Sequence, residues 1–139
     1  MIIGDSSALV ALSIMERLDL LEEVAVSSKP EGIKLQKFLV GKVIDVELDI
    51  TKIGLGRGEL EAISLYKTMN AKFLLIDDRR AKKFAQLNGV HVIGSIGVVL
   101  LAKELGKVES IRADLEKLLK SNIFVSKHLI ERVLLRAGE

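Results

Sequence analysis

Two short, nearly pure apolar runs in this chain each end directly on an aspartate: Met1-Ile2-Ile3-Gly4 runs into Asp5, and Phe73-Leu74-Leu75-Ile76 runs into Asp77. A run of about four apolar residues closed by turn-forming polar residues reads as a strand buried on both faces, and such strands belong to parallel sheets. An acid at the exit of a parallel strand stands on the carboxyl edge of the sheet. In open α/β sheets that edge is where ligands bind. Two strands that deliver acids to one edge predict a small anionic pocket of the kind that holds a cation.

The rest of the chain supplies the helices that such a sheet needs. Asp5-Ser6-Ser7 is a helix-capping sequence, and Ala8, Leu9, Leu12 and Met15 follow at helical spacing, which predicts a helix over 6–16. A second short helix is expected over 18–23, a strand over 24–26, and a helix from Pro30 to about Val40. Residues 42–50 alternate apolar and polar side chains as an edge strand does. Gly54, Gly56 and Gly58 mark a loop, followed by a helix over 59–69. That loop has neither the dinucleotide nor the Walker spacing of a phosphate-binding loop. Strand 73–76, helix 79–87 with a stop at Asn88-Gly89, strand 90–93 and helix 96–105 complete an alternating series. Ser95, Ser110 and Ser126 are placed to cap the last three helices. This alternation predicts one α/β domain over 1–139, with a short, mostly parallel sheet of four or five strands covered on both faces.

Composition narrows the chemistry. The chain has 139 residues and no cysteine, which excludes disulfides, zinc–thiolate sites and thiol catalysis. Aromatic residues are scarce, so the core must be built from Leu, Ile, Val and Ala. The net charge of +2 does not mark a nucleic-acid binder by itself, although a local basic rim can act where a total does not. Asp5 interrupts the first apolar stretch, and the longest apolar run, 96–102, is too short to span a bilayer. A cytoplasmic protein without a membrane segment is therefore expected. High charge with few Asn, Gln and Cys fits a thermophilic source.

Glu59 is a third acid with a claim on the sheet edge. It opens a helix, and the first turn of a helix that follows a parallel strand hangs over that strand's carboxyl end. Carboxylates without His or Cys partners suit a hard divalent cation, Mg²⁺ or Mn²⁺, and the chemistry such clusters serve is phosphoryl transfer. Each acid also has a plain structural reading. Asp5 and Asp78 can cap the helices behind them, Asp78 most simply of all. Glu59 can favour its own helix dipole. Glu61 lies two residues on, and so off the Glu59 face. Arg57, Lys72, Arg79, Arg80, Lys82 and Lys83 read either as a solvated face or as a rim for a nucleic-acid backbone. His91 and His128 read as exposed, and no Ser/His/Asp set is evident.

Taken together, Asp5-Ser6-Ser7-Ala8-Leu9, Gly58-Glu59-Leu60-Glu61-Ala62-Ile63 and Leu75-Ile76-Asp77-Asp78-Arg79 resemble the PIN-domain nucleases, the superfamily that includes the VapC-type toxins. The likeness covers nearly the whole chain. Ile76 to Ala81 and Val92 to Lys103 are similar to one archaeal and bacterial branch of PIN-like proteins. The resemblance implies a three-layer α/β/α fold and a Mg²⁺- or Mn²⁺-dependent endoribonuclease acting on single-stranded RNA. It further implies a possible role as the toxin of a toxin–antitoxin pair, with an antitoxin partner and a homodimeric state. Asp5, Glu59 and Asp77 would be catalytic metal ligands, with Asp78 a fourth. Ser6 would steady Asp5, Glu61 competes with Glu59, and Arg57, Arg79 and Arg80 would hold RNA. The family's further glutamate, a few residues beyond a proline, has no counterpart here: Leu35 and Gln36 stand in its place, with Glu31 a turn early. That departure gives the alternative reading, a catalytically degenerate PIN-like module that binds RNA or protein.

Overall fold

The computed structural model describes residues 2–21 and 56–139. The expected strands over 24–26 and 42–50, the helix from Pro30 and the Gln36 position lie outside these residues. Among the described residues three strands form one sheet in the order β1 (Ile2–Gly4), β2 (Phe73–Leu75), β3 (Val92–Ile93). Both pairings are parallel. Ile2, Ile3 and Gly4 stand beside Phe73, Leu74 and Leu75, and Leu74 and Leu75 stand beside Val92 and Ile93. The helices are α1 (Ser6–Ile14), α2 (Arg57–Thr68), α3 (Arg79–Leu87), α4 (Ser95–Glu104), α5 (Arg112–Leu119) and α6 (Lys127–Arg136).

The period of two along the strands sorts the core into two layers. Ile2 and Leu75 face one side, where Ala8, Ala11 and Leu12 of α1, Val98, Val99 and Ala102 of α4, Leu115 and Leu118 of α5, and Ile130 and Val133 of α6 are buried with them. Ile3, Leu74 and Ile76 face the other side, against Ala62 and Ile63 of α2 and Ala81 and Ala85 of α3. The fold is thus α/β, with a short parallel sheet between two helical layers. Alanines at the points of closest approach let helices lie directly on the strands. Leu12, Leu74 and Leu75 are fully buried, so truncating any of them to alanine costs about 2–5 kcal/mol.

Helix boundaries follow their local signals. Asp78 caps α3, its Oδ1 accepting from Ala81 N at 2.8 Å. The helix stops at Asn88-Gly89, where Gly89 takes φ +72°, a conformation in which a Cβ would be strained. Ser126 caps α6, accepting from Leu129 N at 3.2 Å. Two expected caps differ. Ser95 is not outside α4 but within it, and Gly94 is the cap residue. At the start of α5 Ser110 Oγ accepts only a long bond from Arg112 N, at 3.4 Å, and the cap is shared with a distant residue: Ile111 N donates to the side chain of Glu139, 28 residues further on, at 2.9 Å. A partly buried ion pair, Arg17 Nε to Asp114 Oδ2 at 2.8 Å, ties the end of α1 to α5. Among the described residues no helix is long and apolar enough to cross a membrane.

Candidate active site

The sheet carries Asp5 and Asp77 to the same carboxyl edge on neighbouring strands. Asp5 leaves β1 in extended conformation, and its backbone N donates to Leu75 O at 2.8 Å, so its position is locked to the end of β2. Its side chain caps α1: Oδ2 accepts from Ser7 N at 3.1 Å and from Ser7 Oγ. Among the described residues Oδ1 accepts no hydrogen bond. The serine hydrogen-bonded to Asp5 is therefore Ser7 where Ser6 is expected, and both serines are exposed. Capping geometry explains the difference, because a cap carboxylate reaches the second or third residue of its helix and not the first.

Asp77 is held more fully. Ser95 N donates to its Oδ1 at 2.9 Å, and Ser95 Oγ to its Oδ2 at 2.6 Å. Ser95 is itself 2% exposed, so both bonds come from a rigid, dry support. The ladder bond Ile76 N to Ile93 O at 2.9 Å brings the start of α4 beside the end of β2 and makes this possible. The Lys82 ammonium, one turn into α3, stands 3.7 Å from Asp77 Oδ1. Gly94 leaves the space for Asp77 and Lys82. A Cβ there would lie 2.5 Å from Lys82 Nζ and 2.7 Å from Asp77 Oδ1.

The other acids serve their own helices. Glu59 turns back to accept from Gly56 N at 2.7 Å. Asp78 holds Ala81 N, as its position before Arg79 predicts. Glu61 is half-buried on α2. Among the described residues no group of three or more Asp, Glu, His or Cys side chains is placed to share a metal ion. What the edge offers is a pair of strand-end aspartates. That donor set still fits magnesium, which takes roughly one or two carboxylates and keeps several waters, and it does not fit an all-protein cage. Arg79 and Arg80 are exposed in the first turn of α3, and Arg57 opens α2.

Asp77, Arg79 and Lys82, from the end of β2 and from α3, are the charged part of the lining of a cavity of about 550 Å³, beside Ser95. The remainder, from α1, α4, α5, α6 and the loop between the last two, is mainly apolar, with Ser126 its polar member. The sequence does not reveal Ser95 as the partner of Asp77, nor Lys82 as its counter-ion. The one local signal for Ser95 is a small polar residue at a strand-to-helix junction, and that signal reads equally well as a cap.

Comparison with known proteins agrees with this architecture. No curated protein and no solved structure matches the chain significantly. The family model described as a PIN domain matches residues 1–139. That match spans every element from β1 to α6, and the chain belongs to the PIN-domain family, whose fold is of the nuclease type.

Proposed function

We propose that this PIN domain is a Mg²⁺- or Mn²⁺-dependent endoribonuclease that cuts single-stranded RNA at the Asp5–Asp77 edge. The observation that carries the reading is the mounting of Asp77. A carboxylate fixed through both oxygens by one buried serine lines a cavity together with Arg79 and Lys82. Such mounting makes sense for a group that must present its remaining lone pairs in one direction. Asp5 and Asp77 would hold the ion. Among the described residues Glu59 and Asp78, like Asp5, are each bonded at their helix starts through one oxygen only, and would join through the other. A divalent cation held there would supply the activation of a water for attack on a phosphodiester. Ser95 keeps Asp77 in one orientation, Ser7 does the same for one oxygen of Asp5, and the cations of α3 neutralise the phosphate backbone. The roles as toxin and homodimer rest on the family resemblance alone, and the cytoplasmic setting on the sequence having no apolar run long enough to span a bilayer.

The reading predicts Mg²⁺-dependent cleavage of single-stranded RNA that excess EDTA stops and that Asp5→Asn or Asp77→Asn each abolish. Undiminished cleavage in either variant would refute it. One observation favours a second reading, a PIN-like module that binds RNA without cutting it: Lys82 already balances Asp77, while Glu59 and Asp78 are engaged as caps. Retained RNA binding with no cleavage at any Mg²⁺ or Mn²⁺ concentration would select that reading.

A further inference from the structure

We infer that the cavity beside Asp77 is a nucleotide subsite: Phe124 stacks on a base while Arg79 and Lys82 hold the attached phosphate. The inference rests on the nucleic-acid reading of the edge and adds to it the residue that grips the base. Phe124 is 95% exposed, in a chain with only five Phe and Tyr residues in all. A large apolar side chain left in water contributes no burial energy to the fold, and Phe124 is the most exposed of the large apolar residues described, ahead of Leu135 at 82% and Leu87 at 78%. Its loop is nevertheless pinned. Ser121 Oγ donates to Leu118 O at 2.7 Å and accepts from Ile123 N at 3.1 Å, and Ser126 caps α6 directly after it. The ring is thus presented from a fixed turn. Phe124 and Leu129, itself partly exposed, line the same cavity as Asp77, Arg79 and Lys82. With a mainly apolar lining and two cations, Arg79 and Lys82, against the one carboxylate of Asp77, and within the range of roughly 300–1,000 Å³ usual for small-ligand sites, the cavity complements a base joined to a phosphate. Stacking on an aromatic ring is tolerant of sequence, which suits a single strand.

The test is binding of a labelled single-stranded RNA in EDTA, so that the strand stays whole, compared with the same strand lacking bases. Phe124→Ala weakens binding of the intact strand by about tenfold, within what loss of one stacked base produces, and leaves the base-less strand unaffected. Phe124→Tyr restores the wild-type value. Lys82→Ala weakens both strands alike. Because the chain has no tryptophan, Phe124→Trp reports its own surroundings: exposed-type emission in the free protein, quenched as RNA is added. If the wild type binds RNA and Phe124→Ala binds it equally well, the subsite is wrong and the nucleic-acid reading survives. If the wild type binds no RNA, the reading itself falls. Blue-shifted emission from Phe124→Trp that RNA does not change would mean that another segment or a second copy covers the groove, and would also overturn the inference.

Discussion

Asp77 and Glu139 are carboxylates in nearly the same harness. Each accepts from a backbone amide at a helix start at 2.9 Å: Ser95 N for Asp77, Ile111 N for Glu139. Each accepts from a serine hydroxyl, Ser95 Oγ at 2.6 Å or Ser110 Oγ at 2.7 Å. Each has a lysine nearby, Lys82 at 3.7 Å or Lys103 at 3.3 Å. Their settings differ. The Glu139 side chain is 12% exposed and also takes an amide bond from Arg112, so its acceptor capacity is used up in closing α5. The hydroxyl of Ser110, the amide of Ile111 and then Lys103 hold its carboxyl down at about 2. The Asp77 side chain is 29% exposed and opens on the cavity. The same donors that complete a fold at one end leave a carboxylate aimed outward at the other. Hydrogen bonding alone does not make a site; the space in front of the carboxylate does.

Substitutions can separate the two harnesses. The largest difference is expected between Asp77→Asn and Glu139→Gln. The first drops RNA cleavage to background with little change in thermal stability, whereas the second leaves cleavage intact and lowers the melting temperature. Next comes the pair of serines. Ser95→Ala removes the hydroxyl that orients Asp77 and should cost roughly 10- to 100-fold in metal affinity or activity, as loss of a ligand's supporting partner does. Ser110→Ala should not alter cleavage. Gly94→Ala should cost about tenfold in cleavage, because its Cβ must displace Asp77 Oδ1, and misplacing a reacting group by about 1 Å can cost on the order of 10²-fold. Lys82 can swing away from that methyl; Asp77, tied to Ser95, cannot do so freely.

The smallest effect is on the acid side of stability. Glu139 is depressed to about 2 from an ordinary 4.5, so the unfolded chain binds the proton more readily than the folded one. Stability from this group is present in full above pH 4.5 and falls as pH drops from there towards 2. Thermal denaturation across that range should show a shallower acid decline for Glu139→Gln than for the wild type.

How far these features could be read from the sequence depended on the range of the interaction. The two strand-end aspartates were legible because an apolar run and its terminating acid are adjacent. The cap role of Asp78 and the stop at Asn88-Gly89 were legible for the same reason. Glu59 was open to two readings, and the described structure has it on Gly56 N, a contact three residues long. Ser95 reads locally as a cap, because nothing near it in the sequence says that its hydroxyl will meet a carboxylate 18 residues upstream. The cap of α5 by Glu139 spans 28 residues and leaves no local trace. Phe124 lies outside every periodic segment, and its exposure is a property of the fold that no pattern of neighbours announces.

Whether the edge formed by Asp5 and Asp77 holds a divalent cation can be measured without any RNA target, by Mn²⁺ titration followed by electron paramagnetic resonance. The wild-type protein should take up Mn²⁺, Mg²⁺ should compete for it, and Asp5→Asn and Asp77→Asn should each lose it while Glu139→Gln does not. A wild-type protein that leaves all Mn²⁺ free, or aspartate variants that bind it as tightly as the wild type, would mean that this edge is not a cation site.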